Sequence, residues 1–231
     1  MKKPTWFLSK YNTSKPNEWG VSSKIHLDMG CGANPRNPFG AEKLIGADIL
    51  DPRNLNLGTD FKYLKVNSDG VIPLDSESVD SISGYDFLEH LPRGSTIENN
   101  LFIKFMNESS RILRKGGVLV LVIPAYPSSA AFHDPTHVNF ISDNTVHYFV
   151  GKSPLASNLG YGFNGSFKLL TQEWVGPLSF VWARTPLEIF KINRWLMALR
   201  FLRGFSSLRK ARSRISSLRK PTHLLWVLQK T

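Results

Sequence analysis

The sequence predicts an α/β fold built on a doubly wound, largely parallel sheet, and three stretches carry that expectation. In residues 24–48 an apolar-alternating run, Ile25-His26-Leu27-Asp28-Met29, ends in Gly30-Cys31-Gly32, and a second run, Leu44-Ile45-Gly46-Ala47, ends in Asp48. Such a sheet forms a nucleoside pocket from a strand, a glycine turn and a second strand tipped with an acid. The glycines let the backbone approach the ligand, and the carboxylate accepts hydrogen bonds from ribose hydroxyls. Residues 97–115 place Ile97, Leu101, Phe102, Phe105, Met106, Ile112 and Leu113 at helical spacing, with Gly116-Gly117 as the expected stop. Val118 to Ile123 is a continuous apolar run closed by Pro124, as in a central buried strand. Helices alternating with strands in this way imply a parallel core.

Taken in order, residues 1–23 are polar with Trp6, Phe7, Tyr11 and Trp19 among them; these aromatics pack on the body or close over a pocket. Between the first two strands lie about ten residues with two prolines, Pro35 and Pro38, and a closing Gly40. A parallel crossover usually needs a dozen or more residues, so the first helix is reduced to a turn. Residues 61–66 alternate as a third strand, and Asn67, Ser68 and Asp69 follow as a plain turn or as groups facing a base. Ser81 to Gly84 forms a short fourth strand, whose carboxyl end faces the ligand crevice.

The glycine turn excludes one ligand class. The third glycine of a dinucleotide fingerprint falls at Pro35. Gly30-Cys31-Gly32 with Asp28 two residues ahead resembles instead the S-adenosylmethionine loop of class I methyltransferases. Three further motifs extend the resemblance, to the type 11-like group of that class: residues 73–80 (Pro73 to Asp80), Leu88-Glu89-His90, and Arg111-Ile112-Leu113-Arg114-Lys115-Gly116-Gly117. The resemblance covers residues 24–125. It implies a Rossmann-like sheet of about seven strands, the last one antiparallel, with S-adenosylmethionine as cofactor and methyl transfer to oxygen or nitrogen as the activity. On this reading Asp28, Gly30, Cys31 and Gly32 shape the cofactor loop and Asp48 holds the ribose. Asp69 reads the adenine, and Asp86, after the fourth strand, lies on the cofactor side. Glu89 and His90 are expected to shape packing and hydrogen bonds beside the cofactor rather than to catalyse. Cys31 reads as a small residue in a tight turn, not a nucleophile.

The stretch after the fifth strand, residues 125–149, is the richest in chemistry, because class I methyltransferases place substrate-facing groups there. His133, Asp134 and His137 fall within five residues, with Pro135 holding the backbone extended. An acceptor hydroxyl or amine must lose a proton, and histidine suits that role near neutrality; His137 is the favoured base. A structural histidine pinning the loop is the competing reading. Three donors do not complete a metal set, so no metal is assigned.

The remainder predicts strands at residues 167–170 and 178–182 and a closing antiparallel strand at residues 223–228, with residues 185–220 inserted before it. The insertion opens on Thr185-Pro186-Leu187-Glu188, a capping box, and its first helix is apolar on nearly all sides. A second helix, residues 207–219, sets Leu208, Ala211, Ile215 and Leu218 in one stripe among basic residues. Residues 185–231 hold 11 Lys and Arg against 1 acid, whereas residues 1–184 hold 18 against 17. The insertion is therefore a lid with a solvated basic face or a binder of an anionic surface: membrane headgroups, a lipid-linked substrate, or less plausibly nucleic acid.

The expected organisation is an N-terminal extension (1–23), a cofactor-binding core (24–184), a basic helical insertion (185–220) and a final core strand (221–231). One cysteine permits no internal disulfide, and no apolar run reaches the roughly 18 residues of a spanning helix. A cytoplasmic protein, peripheral at the membrane if the insertion docks there, is the expectation. The acceptor is a small molecule or a glycan-type hydroxyl; an RNA acceptor and a non-catalytic membrane-docking protein are the rivals.

Overall fold

The computed structural model describes residues 23–176 and 221–231. Seven strands form one sheet in the order β3-β2-β1-β4-β5-β7-β6. They are β1 (Ile25–Met29), β2 (Lys43–Asp48), β3 (Lys62–Lys65), β4 (Val79–Tyr85), β5 (Leu113–Pro124), β6 (Phe167–Val175) and β7 (His223–Lys230). The first five run parallel, while β7 is antiparallel to both β5 and β6. Order reverses between β1 and β4, and the carboxyl ends of these two strands flank the crevice that open α/β sheets use for ligands.

The helix α1 (Leu101–Ile112) packs Phe102, Phe105, Met106 and Ile112 on one face of the sheet, against Leu27, Ile82, Leu119 and Leu121. Asn100 caps it, its side chain accepting from the Phe102 and Ile103 amides. A short helix, α2 (Leu155–Asn158), precedes β6. The opposite face carries Tyr85, Val120, Val122, Leu225 and Val227, packed with Phe39.

As the sequence implies, no helix links β1 to β2. Asn37 instead closes a tight loop, donating to the Ala41 carbonyl and accepting from the Ala41 amide. The loop lies directly on β2: a Cβ at Gly46 would meet Cys31 Sγ at 2.8 Å and Pro35 at 3.0 Å. That close approach is why glycine interrupts the apolar run of β2.

Among the boundaries that differ from expectation, those of α1 and β6 have clear physical causes. The helix expected over residues 97–115 begins at Leu101 and ends at Ile112, not at the glycine pair. Its last carbonyls are taken by a neighbouring segment: Glu77 N–H donates to Arg111 and Ser78 N–H to Ile112. Leu113 is thereby free to turn extended and enter β5, within which Gly116 bends at φ 79°. The strand expected at residues 167–170 continues to Val175, because pairing with β7 carries polar Thr171, Gln172 and Glu173 through a register shift after Leu169. The strand expected at residues 178–182, the insertion 185–220 and the N-terminal aromatics lie outside the described residues.

Candidate functional site

The cofactor half of the crevice grows from the turn after β1. Gly30 and Gly32 have φ of 65° and 54°, the left-handed region in which a side chain is strained. A Cβ at Gly30 would lie 2.8 Å from the Phe87 ring, whereas one at Gly32 would meet nothing within 4 Å. The turn is fixed to the end of β2 by Gly30 N–H and Cys31 N–H, which both donate to the Ala47 carbonyl. Asp48 then accepts from Gly32 N–H at 2.8 Å and from Leu50 N–H at 3.1 Å. Each bond occupies one oxygen, so lone pairs remain for a diol. The carboxylate expected to hold a ribose is thus held rigidly beside the open side of the glycine turn.

Asp28 acts beneath this turn. It is fully buried, accepting from Ser83 Oγ at 2.6 Å and from Arg36 N–H at 2.7 Å. Burial pushes its carboxyl up to about 6, against the pull of those two donors. The pairing of β1 with β4 sets His26 against Ser81 and Asp28 against Ser83. His26 bonds Ser81 Oγ through Nδ1 and Ser83 Oγ through Nε2, and burial lowers its pKa to about 3. Ser83 gives its one proton to Asp28, so Nε2–H donates to Ser83 and the ring is neutral. Sequence reasoning missed this ladder; its signal was His and Asp two apart on β1, opposite two serines two apart on β4.

Burial pushes the Cys31 thiol up to about 12, with Asp28 and Asp48 adding to the effect, so it remains an unreactive thiol. Asp69 is exposed and accepts from Val71 N–H in a turn. Asp86, in a left-handed conformation after β4, lies 3.0 Å from His223 Nε2. It links β4 to the start of β7.

The acceptor half lies at the carboxyl ends of β4 and β5. Phe87, against which Gly30 packs, opens the 3-10 turn Leu88–His90. The loop after β5 is tied onto that turn: Val138 and Asn139 N–H donate to the Glu89 carbonyl, and the Asn139 amide donates to the Leu88 and Leu91 carbonyls. Two motifs far apart in sequence therefore meet. Glu89 is 1% exposed, and its Oε1 lies 3.9 Å from His90 Nε2 and 4.0 Å from His137 Nε2. Neither Glu89 oxygen has a hydrogen-bond partner among the described residues. Burial pushes its carboxyl up to about 8, as do Asp86 and Asp134; the backbone amides of Glu89 and Phe87 offset part of this without reaching good hydrogen-bond geometry.

Of the residues expected here, His137 is brought to Glu89, its ring 6.0 Å from that of His133. Asp134 faces the Thr136 hydroxyl and amide. Beside them Phe132 stacks on Phe140 at 5.1 Å and meets Tyr126 edge-on, and all three are more than half exposed. The Arg93 guanidinium stands 5.7 Å above Phe140. A hollow of about 450 Å³ edged by Lys24, Lys43, Asp80 and Arg114 lies at the other end of the strands, away from this chemistry.

No family model matches the sequence, and no curated protein does. Solved structures do resemble the fold. A chain of the complex between the Haloferax volcanii Trm112 methyltransferase activator and a methyltransferase aligns with TM-score 0.50 and 14% identity, over 90% of this chain and 82% of that one. A SAM dependent methyltransferase from Archaeoglobus fulgidus aligns with TM-score 0.49 and 17% identity, over 90% and 86%. An S-adenosylmethionine dependent methyltransferase from Mesorhizobium loti gives 0.48 and 15%, over 90% and 91%. At these identities the likeness is one of architecture, carried by the first of the three: this chain has the Rossmann-like sheet of the class I methyltransferases.

Proposed function

We propose that the protein transfers a methyl group from S-adenosylmethionine to a hydroxyl or amine of a small-molecule or glycan-type acceptor. One observation carries this reading: the glycine turn that Asp48 holds packs through Gly30 against Phe87, which opens the turn bearing Glu89 and His90, with His137 brought to Glu89. S-adenosylmethionine bound there supplies a methyl on a positively charged sulfur. Asp48 accepts from its ribose hydroxyls, and the open side of Gly32 lets the backbone approach. The exposed Phe132, Phe140 and Tyr126 offer a stacking surface for the acceptor, with Arg93 at its edge. His137 would take the proton that the acceptor atom loses on accepting that methyl. Alignment of the two reactants contributes most, up to about 7–11 kcal/mol where it is very good.

Thermal denaturation tests the cofactor part. S-adenosylhomocysteine at a hundred times its dissociation constant should stabilise the chain by about 2.7 kcal/mol. NAD should have no effect, and Asp48→Ala should weaken the shift by removing the ribose partner. Stabilisation by NAD alone would end the methyltransferase reading.

A further inference from the structure

We propose that Glu89, His90 and His137 form a binding site for one divalent transition-metal ion. Their three ligand atoms all lie within 4.8 Å of one another. Two ligands each about 2.1 Å from an ion stand up to about 4.2 Å apart. The 3.9 and 4.0 Å separations of the Glu89 oxygen from the two Nε2 atoms fall within that limit, while the spread of up to 4.8 Å across the three atoms must close as they move inward onto the ion.

Hydrogen bonds fix the protonation pattern. Thr136 Oγ1 donates to Asp134 at 2.6 Å, which leaves it an acceptor for His90 Nδ1–H at 2.9 Å. His137 Nδ1–H donates to the Ala131 carbonyl at 3.1 Å. In the neutral imidazole tautomer these bonds select, both rings present the Nε2 lone pair to the Glu89 carboxyl group. This is the arrangement in which an outer hydrogen bond orients a metal-bound histidine. Two nitrogen lone pairs and a buried carboxyl group without a hydrogen-bond partner among the described residues converge on one point, where a bound cation would pair with all three. The Asn139 bonds to the Leu88 and Leu91 carbonyls hold the ligand turn in place. Two imidazoles and one carboxylate suit zinc, manganese or iron(II) better than calcium or magnesium, and leave coordination positions open.

The inference deepens the methyltransferase reading, because an acceptor hydroxyl on an open position would lose its proton more readily. With Nε2 on the ion and Nδ1–H on the Ala131 carbonyl, His137 would have no lone pair left for that proton, which would pass to solvent instead, and His137 and His90 would act by holding the ion.

The test is titration of chelator-stripped protein with zinc and with manganese, followed by calorimetry and by metal analysis after dialysis. One ion per chain is expected, with affinity falling at least about 100-fold in Glu89→Gln and in His137→Ala. Far-ultraviolet circular dichroism confirms that each variant is folded, and His133→Ala should bind as the parent does. No binding, or binding indifferent to Glu89→Gln, overturns the inference. S-adenosylhomocysteine binding is measured on the same samples. Metal without nucleoside defeats the cofactor reading alone, and nucleoside without metal defeats this inference alone.

Discussion

Asp28 and His26 sit two residues apart on β1 and are driven in opposite directions by the same burial. The His26 pKa is lowered to about 3, so the unfolded chain takes up a proton below about 6.5 that the native state refuses, and stability falls as pH drops from there towards 3. The Asp28 pKa is raised to about 6 from 3.8, so the native state keeps a proton that the unfolded chain releases. Its contribution is complete below about 3.8 and is lost as pH rises through 6. Asp28→Asn keeps an acceptor for only one of the two donors, because Ser83 Oγ and the Arg36 amide bond different oxygens of Asp28; that loss does not vary with pH, and the second dependence is removed. Relative to the parent, its stability should therefore improve steadily from pH 4 to pH 7 in urea titrations. A relative stability that declines over that range would show that Asp28 is ionised and stabilising in the native state.

At the scale of elements, the motif residues that suggest a family turn out to join one element to another. Arg111 of α1 donates to both Glu108 oxygens and to the Ile72 and Leu74 carbonyls, while Glu108 accepts from Ile72 N–H. Asp80 accepts from the Lys24 and Ile25 amides and from Arg114, fastening β4 to β1 and β5. Arg111→Met keeps the stem but leaves these acceptors to water. A loss of about 2 kcal/mol is expected for bonds made by a charged group. For a chain of this size the melting temperature should then fall by roughly 4–8 °C. An unchanged melting temperature would mean that solvent replaces the guanidinium at no cost. The strands were legible in the sequence because apolar runs and their periods declare them locally. The end of α1 was not, since amides of residues 77 and 78 decide it from outside the helix. The glycine turn and Asp48 were equally legible, being contiguous. The His26 ladder and the Glu89–His137 cluster were not, because they exist only once β1, β4 and β5 lie side by side in register. Glu89 accordingly reads from sequence as a packing residue, although the structure buries its carboxyl group with no hydrogen-bond partner among the described residues.

For the whole molecule the governing feature is charge asymmetry. The body to residue 184 is almost neutral, and residues 185–231 carry 11 basic residues against 1 acid. No helix among the described residues is long and apolar enough to cross a membrane. On the helical spacing expected from the sequence, Arg209, Lys210, Arg212, Arg214, Arg219 and Lys220 would flank a narrow apolar stripe, which would favour binding through charge over deep insertion. At about 1 kcal/mol for each Lys or Arg near an anionic leaflet, these charges suffice for reversible attachment. Such attraction decays within a Debye length of about 8 Å at physiological ionic strength. The protein should therefore sediment with anionic liposomes and not with neutral ones, and should be released at about 0.5 M salt. Changing Arg209, Lys210, Arg212 and Arg214 together to Gln should abolish sedimentation while leaving the S-adenosylhomocysteine thermal shift intact. RNA that binds far more tightly than liposomes would shift the acceptor class towards nucleic acid. Binding to neither at low salt would leave the segment as a lid with a solvated basic face.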